Sequence, residues 1–444
     1  MYLYKILQDH NPWWTDARAR RATRYSRRRA IYDKLIQQLS KKSNRRATVL
    51  IGPRQVGKTV LLLQIADELL DRSYPPANVT YFDFSDERLT KDLLSPRAIM
   101  EASPPGVDPK HPRIFLLDEI GSVSNWAPWL KQAVDTTKHR ILVTDSASTL
   151  LRQGSRESGV GRWDELKIEG LSFREFLTLQ AISGERPEDV LIRVPTSVER
   201  YLQIGGFPEH IIADSMAEVR RRIRSDVAER AIVRDLTRHG VREIGKLKDL
   251  FVYLMENSNA IFDLRARAQD IDADPRSVDE WVGLLEDTLL LTRLRAYTVK
   301  ASARLRKRSK SKLYAADHGL IAAFAASSEP LGDPYIKGKI VEAASYRQLR
   351  ELAEQQDESL TYFRSPNGKN EIDFILKTKS EPVAIEVTSG TDFTEKLGKL
   401  KWANTHIGLK RLVLVHGGLE EKVAGAVHIV PLYRFLLEPG MVVG

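Results

Sequence analysis

The stretch from residue 52 to residue 59, GPRQVGKT, fits the pattern G-x-x-x-x-G-K-[ST], whose residue types suit the binding of phosphate groups. A turn of this kind between a strand and a helix points successive backbone N–H groups at phosphate oxygens. The Lys58 ammonium can reach the β- and γ-phosphates, and the Thr59 hydroxyl can take a position on Mg²⁺. The predicted phosphate-site residues are Gly52, Pro53, Arg54, Gln55, Val56, Gly57, Lys58, Thr59 and Val60.

Two adjacent carboxylates, Asp118 and Glu119, follow a continuous apolar run at residues 114–117. Such a run is typical of a buried parallel strand. In nucleotide hydrolases the first acid of such a pair holds Mg²⁺, usually through water, and the second acts as general base toward the attacking water. An acidic strand end is common by itself, but its pairing with the upstream phosphate loop favours hydrolysis over nucleotide binding alone.

An arginine near the nucleotide could neutralise charge in the transition state of phosphoryl transfer. Three arginines lie on or beside a loop that contains glycine and serine, and these are Arg152, Arg156 and Arg162. Arg162 is the preferred candidate. The sequence leaves open whether it acts within one chain or across subunits.

Apolar runs alternate with helical patterns through this part of the chain. The predicted strands are residues 47–51, 79–84, 114–117, 141–144 and 165–168. This alternation predicts an α/β fold, with a parallel sheet covered by helices on both faces and a ligand at the carboxyl ends of the strands. Thr144 or Ser146, at the end of the fourth strand, could sense the γ-phosphate. Capping of a helix explains this polar cluster equally well.

Length and composition exclude several classes of protein. A chain of 444 residues predicts two to three domains. The absence of Cys excludes disulfides, thiolate metal sites and a cysteine nucleophile, and it suits a cytoplasmic location. No run of about 18 apolar residues predicts a membrane span. The first residues lack the pattern of a secretory signal.

The positive charge of the chain is concentrated near its start. Residues 1–46 contain 13 Lys/Arg and 3 Asp/Glu, which equals the net charge of +10 of the whole chain. The densest part comprises Arg18, Arg20, Arg21, Arg24, Arg27, Arg28 and Arg29. Such a block suits contact with a nucleic-acid backbone, with DNA favoured over RNA. The alternative is a basic segment that packs on an acidic neighbour.

Residues 245–320 predict a winged helix. Helical patterns at 247–256, 264–270 and 275–286 precede two short strands at 289–295 and 312–316. The loop between the strands is strongly basic and contains Lys300, Arg304, Arg306, Lys307, Arg308, Lys310 and Lys312. A basic wing suits DNA phosphate contact. A winged helix that docks another protein is the alternative.

Three carboxylates in residues 336–444 could hold a second metal ion. Glu342 lies on a helical run, and Asp373 and Glu386 lie on two predicted strands. Oxygen ligands of this kind suit Mg²⁺, which can activate water for phosphodiester cleavage. Thr388 stands where a metal-dependent nuclease would place a lysine, which Lys369 or Lys377 could replace. A degenerate nuclease fold that only binds is the alternative.

These motifs together resemble the prokaryotic AAA-type ATPases, in which a P-loop domain precedes helical, winged-helix and restriction-endonuclease-like regions. The matching segments are GPRQVGKT, LLDEI, TDSAS, LSFREF, GGFPE, NEIDFIL and AIEV. The resemblance implies a sheet of the ASCE type, with ATP and Mg²⁺ as cofactors. It also implies that Gly206 and Pro208 form an element that contacts adenine. Asp145, where the family commonly has glycine, and Thr388 depart from the family pattern.

The sequence therefore predicts an ATP-hydrolysing switch that binds DNA. An ATP-gated metal-dependent nuclease and a nucleotide-controlled protein-interaction platform are the alternatives. A protein partner and a homo-oligomer are both compatible with this interpretation. The predicted domains are a basic helical arm (1–46), a P-loop ATPase domain (47–170), a helical lid (171–244), a winged helix (245–320) and an endonuclease-like domain (336–444).

Overall fold

A computed structural model describes most of the chain. The described residues are 2–20, 27–41, 46–88, 95–102, 104–123, 126–146, 161–180, 193–236, 241, 243–297 and 311–443. They divide into two compact units, Met1–Glu169 and Gly170–Gly444. No helix in these ranges is both long and apolar enough to cross a membrane.

The first unit contains a five-stranded sheet in which all neighbouring strands are parallel. Its strands are β1 (Ala47–Ile51), β2 (Val79–Asp83), β3 (Ile114–Asp118), β4 (Arg140–Asp145) and β5 (Trp163–Lys167). The order across the sheet is β2-β3-β4-β1-β5. The predicted parallel α/β sheet is thus confirmed. The fifth strand begins at Trp163, two residues before the predicted start, because Trp163 already pairs with Ala47.

This strand order determines which chain segments lie side by side. Strand β4 is inserted between β1 and β3, with Ile51 paired to Asp145 and Leu117 paired to Val143. The phosphate loop follows β1 and the acid pair closes β3. Both therefore flank the end of β4, where Thr144 lies.

Helices connect and flank these strands. They are Tyr2–His10, Tyr32–Ser40, Lys58–Asp71, Pro96–Glu101 and Trp126–Thr136, with short 3₁₀ turns at Pro12–Trp14, Pro76–Asn78 and Ile120–Ser122. The helix Lys58–Asp71 begins directly at the end of the phosphate loop. Its first-turn N–H groups therefore lie at the carboxyl edge of the sheet.

The segment near the start of the chain covers the edge strand β2. The indole N–H groups of Trp13 and Trp14 both donate to the carbonyl of Val79, at 2.9 and 2.8 Å. The Asn11 side chain donates to the Tyr81 carbonyl at 2.8 Å and accepts from the Tyr81 N–H at 2.7 Å. These bonds satisfy backbone groups that an open sheet edge would leave unpaired.

The second unit begins with helices. They are Phe173–Gln180, Val194–Ile204, Met216–Arg222, a π-type helix Ile223–Leu236, Ile244–Glu256, Leu264–Asp270 and Pro275–Asp287. The last two begin at capping aspartates, since Asp263 and Asp274 accept hydrogen bonds from first-turn N–H groups. Pro275 occupies the first turn, as its fixed φ favours.

A β-hairpin follows these helices, with β6 (Leu291–Leu294) antiparallel to β7 (Lys312–Ala315). Ile261 forms a further bridge to Lys312. Three helices and two strands therefore follow one another in the predicted order, and their assignment to a winged helix stays a prediction. Most of the basic loop between the strands, residues 298–310, lies outside the described residues.

The second sheet has six strands. They are β8 (Ser359–Arg364), β9 (Glu371–Lys377), β10 (Val383–Val387), β11 (Arg411–His416), β12 (Lys422–Ala424) and β13 (Val427–Pro431), in the order β12-β13-β11-β10-β9-β8. Strands β9 and β10 are antiparallel neighbours, so Asp373 and Glu386 lie on adjacent strands. The remaining helices of this unit are His318–Phe324, Pro334–Gln356, Thr394–Ile407, Leu432–Leu437 and Pro439–Val443.

Candidate functional site

The phosphate loop adopts a backbone that ordinary residues rarely take. Gln55 and Gly57 have positive φ angles of 62° and 94°. At Gly57 the left-handed conformation favours glycine, because other residues pay a steric cost there. Gly52 is required for a different reason. A Cβ atom at this position would collide with the backbone carbonyl of Ile168.

The Lys58 side chain is buried against its own loop. Its Nζ donates to the carbonyls of Gly52 and Pro53, at 2.8 and 2.9 Å. Burial lowers the pKa of Lys58, while the carboxylates of Glu119 and Asp118 act in the opposite direction. The ammonium is therefore held within the electrostatic field of the acid pair.

A hydroxyl group joins the two acids at the end of β3. Thr144 Oγ1 donates to the Asp118 carboxylate and accepts a hydrogen bond from the Glu119 N–H at 3.2 Å. Glu119 is in the left-handed region, with φ of 50°, which places it directly over this hydroxyl. Non-glycine residues in this region are strained and are common at functional sites.

The Asp118 carboxyl group is buried and strongly perturbed. Burial, reinforced by Glu119, raises the pKa of Asp118 to about 6, although hydrogen bonds from Thr144 and Thr59 act against the rise. The Tyr81 hydroxyl also donates to it, at 3.4 Å. The structure thus brings together Thr59, Asp118 and Thr144, which sequence reasoning had placed on three separate segments.

Arg162 lies at the wrong edge of the sheet to act on a nucleotide bound by its own chain. Its carbonyl accepts from the N–H of Ala47, the first residue of β1, whereas the phosphate loop follows the last. A five-residue strand is about 16 Å long. The Arg162 guanidinium instead faces Asp135, at 3.4 Å. Arg162 therefore stays a predicted finger, and of the two possibilities that the sequence left open, action within one chain does not suit this position.

The other arginine candidates, Arg152 and Arg156, lie outside the described residues.

Two arginines of residues 1–46 form ion pairs with the helix that follows the phosphate loop. Arg20 pairs with Asp71 at 2.9 Å. Arg28 pairs with Glu68 at 2.5 Å and lies over the Tyr32 ring. These contacts match the alternative of a basic segment packed on an acidic neighbour. Arg21 and Arg24 lie outside the described residues.

Gly206 lies in a crowded environment within the second unit. Its N–H donates to both carboxylate oxygens of Asp317, at 3.1 and 3.0 Å, and its carbonyl accepts from the Leu171 N–H. A Cβ on Gly206 would meet both groups at under 3 Å. The segments GGFPE and LSFREF therefore contact each other. Phe207 is buried, whereas Pro208, which the resemblance places against adenine, is partly exposed.

A buried arginine holds the start of the second unit. Arg347 is 1% exposed and donates to the carbonyls of Gly170 and Leu171 and to the Tyr201 hydroxyl. The Tyr201 hydroxyl in turn donates to the Leu171 carbonyl at 2.8 Å. The first two residues of this unit are thereby fixed to its helices.

In the second unit a lysine joins two of the predicted metal ligands. Lys396 Nζ lies 2.7 Å from the Asp373 carboxylate and 2.8 Å from that of Glu386. Neither Lys369 nor Lys377 takes this place. Lys396 comes from the first turn of the helix Thr394–Ile407, directly after β10, and sequence reasoning missed it.

A second lysine, Lys312, lies close to Glu342. Lys312 Nζ lies 3.6 Å from Glu342 and 2.6 Å from Glu371, and the Tyr314 hydroxyl donates to Glu342 at 2.7 Å. Lys312 was assigned to the basic wing, but it is buried and paired with acids. It therefore has no part in an exposed wing surface.

The pKa values of the buried acids Glu386 and Asp373 are shifted in opposite directions. Burial, together with Asp373, raises the pKa of Glu386 to about 8. Burial also acts to raise the pKa of Asp373, but Lys396 and Lys312 outweigh it and hold that pKa below its usual range. The cluster can thus hold a proton on one acid and a charge on the other.

The predicted three-acid metal site is not assembled. Within the described residues, no group of three or more Asp, Glu, His or Cys side chains could hold a metal ion. The physical reason is that the Lys396 ammonium lies where Asp373 and Glu386 converge and neutralises them. Each of the three acids instead lies beside an ammonium group: Glu342 beside Lys312, and Asp373 and Glu386 beside Lys396.

Comparison with known families supports the first unit most directly. Residues 44–177 match the model of a family described as an AAA domain. Residues 195–330 and 337–435 match two domains of unknown function, DUF8612 and DUF4143. Residues 44–177 are thus similar to an AAA-type ATPase domain. The match includes the phosphate loop, the acid pair and Thr144.

A curated relative comes from Haemophilus influenzae. It is 25% identical over 280 residues, which cover 61% of this chain and 67% of the relative, and it is described as an uncharacterized protein. Because this description names no activity, the similarity supports no particular function for the present chain.

Three solved structures are also similar. A katanin structure, reported for its self-assembly, is 15% identical and covers 44% of this chain and 71% of its own, at a TM-score of 0.27. The replication initiator DnaA, bound to AMPPCP and single-stranded DNA, is 15% identical, with 58% and 86% covered and a TM-score of 0.26. PCH-2 of C. elegans is 16% identical, with 39% and 48% covered and a TM-score of 0.24. Scores this low support no conclusion about ligands or assembly.

Proposed function

We propose that this chain is an ATP-binding and ATP-hydrolysing switch of the AAA type. The observation that carries the proposal is the Thr144 hydroxyl, which bonds both Asp118 and Glu119 beside the phosphate loop. A chance pair of acids at a strand end would need no such bridge. Here the Thr144 hydroxyl holds the Asp118 carboxylate, which also bonds Thr59. Glu119 is the next residue in the sequence, and its N–H donates to the same hydroxyl.

Each residue has a defined part in the proposed reaction. The N–H groups of the loop and the Lys58 ammonium bind the phosphates, because fixed donors in a water-poor site stabilise developing charge. Glu119 accepts the proton of the attacking water. Thr144 orients Asp118 and Glu119 through its two hydrogen bonds.

The charge balance of the site fits a divalent cation. Three carboxylates, those of Asp118, Glu119 and Asp145, act to raise the pKa of Lys58, and one cation, the Arg54 guanidinium, acts to lower it, so the acids outnumber the cations. Thr59 and Asp118, which are hydrogen-bonded to each other, are the residues that would hold Mg²⁺. When bound, Mg²⁺ neutralises charge on the phosphates.

Two substitutions test this proposal. Lys58→Ala removes the only ammonium of the loop, so we expect it to abolish ATP binding. Glu119→Gln removes the base but keeps the shape, so we expect ATP binding with turnover lowered by about 10² or more. Binding is measured by calorimetry and turnover by phosphate release. Equal turnover in Glu119→Gln and wild type would remove Glu119 from its role.

DNA binding forms the less direct part of the proposal. Arg18 and Arg27 are exposed, and the loop between β6 and β7 carries further basic residues. The helix Pro275–Asp287, in contrast, exposes Asp279 and Glu280 beside Arg276. We therefore assign DNA contact to the basic loop more than to this helix, with RNA as the less favoured partner.

A second candidate is an ATP-gated nuclease. It requires Lys396, which neutralises Asp373 and Glu386 in this structure, to serve during catalysis as the positive charge that Thr388 lacks. Incubation of plasmid DNA with Mg²⁺ or Mn²⁺, with and without ATP, tests for cleavage. Cleavage that disappears in Asp373→Ala would support this site. Absence of cleavage would leave a degenerate domain, in which the lysines serve only to neutralise buried acids within a protein-interaction platform.

A further inference from the structure

Arg29 contacts the phosphate loop from outside. Its side chain is buried, with 9% exposure. One terminal nitrogen donates to the carbonyl of Val56 at 2.7 Å, and the other donates to the carbonyl of Glu169 at 3.0 Å. Val56 belongs to the loop, whereas Glu169 is the last residue of the same unit.

The hydrogen bond from Arg29 to the Val56 carbonyl fixes the orientation of the whole Val56–Gly57 peptide group. A trans peptide group is planar, with its C=O and N–H pointing in opposite directions. The Val56 carbonyl shares its peptide plane with the Gly57 N–H. When Arg29 holds the carbonyl on one side, the Gly57 N–H must point to the other side.

The Gly57 N–H is available for a ligand. Among the described residues, no backbone or side-chain acceptor receives it. Gly57 also directly precedes the helix Lys58–Asp71, whose first N–H groups are open in the same way. Phosphate binding by such a loop depends on these donors pointing inward together before the ligand arrives.

We propose that Arg29 is a positioning residue for ATP, which holds the Val56–Gly57 peptide in the orientation that receives phosphate. This inference rests on the ATP-binding function proposed above and adds a residue that lies outside the segment matched to the AAA domain. Arg29 does not touch the nucleotide. It acts through the peptide group and ties that group to the backbone at Glu169.

The chemistry of the side chain explains why arginine occupies this position. The guanidinium presents donors in a rigid planar fork, so one side chain can bind two carbonyls that lie apart. A lysine donates from a single nitrogen, so it can join only carbonyls that lie close together, as Lys58 does with those of Gly52 and Pro53. Loss of the donor to the buried Val56 carbonyl is costly away from water.

The experiment measures nucleotide affinity and turnover in Arg29→Met and Arg29→Lys. A lost positioning bond weakens ground state and transition state alike, so KM for ATP should rise while kcat at saturating ATP stays near its wild-type value. We expect the Kd for Mg-bound AMPPNP to rise about tenfold or more in Arg29→Met. Arg29→Lys should fall between Arg29→Met and wild type.

The KM and kcat values separate positioning from a purely structural role. A variant that only folds poorly lowers the active fraction, so its kcat falls while its KM is unchanged. If Arg29→Met does not fold, the same pattern is read from Arg29→Lys. The matched control is Arg28→Met, a neighbouring arginine that pairs with Glu68 and does not contact the loop. Its KM should equal that of wild type.

The outcomes distinguish this inference from the proposed function. If Lys58→Ala abolishes binding but Arg29→Met binds AMPPNP as tightly as wild type, the inference on Arg29 is wrong and the ATP site stands. An equal rise in KM in Arg28→Met also overturns the inference. If wild type binds no nucleotide at all, the proposed function and the inference both fail.

Discussion

At the scale of single residues, Lys396 shows how one ammonium group allows two carboxyl groups to be buried side by side. Asp373 and Glu386 are both buried within the second sheet, and each lies within 3 Å of the Lys396 ammonium. Breaking a buried ion pair by removal of one partner is strongly destabilising, since the remaining charge stays in a poor solvent.

We therefore predict that Lys396→Met lowers the free energy of unfolding by about 3–5 kcal/mol. The measurement is urea unfolding followed by fluorescence. Addition of Asp373→Asn to this variant should restore part of the loss, because Asp373, whose pKa is held below its usual range, is the acid that carries the unpaired charge. Lys399→Met, on the same helix, removes an exposed pair with Glu395 and should cost less than about 1 kcal/mol. A loss of similar size in both lysine variants would contradict the prediction.

The same residue shows what the sequence could not supply. The acids at 373 and 386 were recognisable because each lies in a short apolar strand pattern. Lys396 lies in a helix with no distinctive pattern, and only the packing of that helix on β9 and β10 brings its ammonium to the acids. Long side chains from neighbouring elements are hard to anticipate, because their position depends on tertiary packing rather than on local spacing.

At the scale of elements, the edge strand β2 depends on residues near the start of the chain. Asn11 is completely buried, and its side-chain amide makes two bonds with the backbone of Tyr81. It thus replaces the backbone partner that a neighbouring strand would offer.

We predict that Asn11→Ala destabilises the first unit by about 1–3 kcal/mol, because it removes two buried hydrogen bonds with the backbone of Tyr81. Thermal unfolding measures this effect. Amide hydrogen exchange at Tyr81 should accelerate by a larger factor than exchange in the central strand β4. The control is Asp9→Ala, which removes only an exposed ion pair with Arg88. Unchanged exchange at Tyr81 in Asn11→Ala would show that the edge is protected by other contacts.

The helix His318–Phe324 makes the second unit sensitive to pH. Burial lowers the pKa of His318, Asp317 acts to raise it, and Arg347 acts to lower it. The ring is fully buried, and its Nε2 bonds the Tyr201 carbonyl at 2.9 Å. Because the unfolded chain binds the proton more readily, the stability from this residue is present above pH of about 6.5 and is lost as the pH falls.

We predict that the stability of wild type falls between pH 7 and pH 5 by up to about 1.4 kcal/mol per pH unit from this one residue. His318→Gln keeps an N–H donor but does not titrate, so its stability should change less over the same range. Denaturant unfolding at a series of pH values provides the measurement. His406→Gln, at an exposed position, is the control. Identical pH slopes in His318→Gln and wild type would exclude this residue as the source.

At the scale of the whole molecule, part of the net charge of +10 is already paired within the protein and is therefore less available for contact with DNA. Arg20, Arg28 and Arg29 of the basic segment are occupied by acids or carbonyls of their own unit. A second run of basic residues with no acid among them, residues 300–310, lies between β6 and β7.

We therefore predict that DNA affinity, measured by fluorescence anisotropy at several salt concentrations, depends on that loop. Replacement of its basic residues by glutamine should reduce the slope of log K against log salt by about 0.9 for each lost contact. The residues to replace are Lys300, Arg304, Arg306, Lys307, Arg308 and Lys310. Arg20→Gln, the matched arm variant, should leave the slope unchanged. A larger change in the arm variant than in the loop variant would reverse the assignment.

The fold of the first unit was largely predictable, whereas the relations between its segments were not. Apolar runs gave five strands, and each formed within two residues of its expected position. The position of Arg162 could not be predicted, because loop composition does not reveal which edge of a sheet a loop lies on. The pairing of β5 with β1 decides that, and such pairing depends on contacts between residues more than 100 positions apart.

Three consecutive carbonyls mark the passage from one unit to the next. That of Glu169 is held by Arg29, and those of Gly170 and Leu171 are held by Arg347. Boundaries between compact units usually tolerate inserted residues and are cut readily by proteases, because their backbone is loose. Here the carbonyls on both sides of the boundary are bonded within their own unit, that of Glu169 in the first and those of Gly170 and Leu171 in the second. Proteolysis at residues 169–171 should therefore be slow.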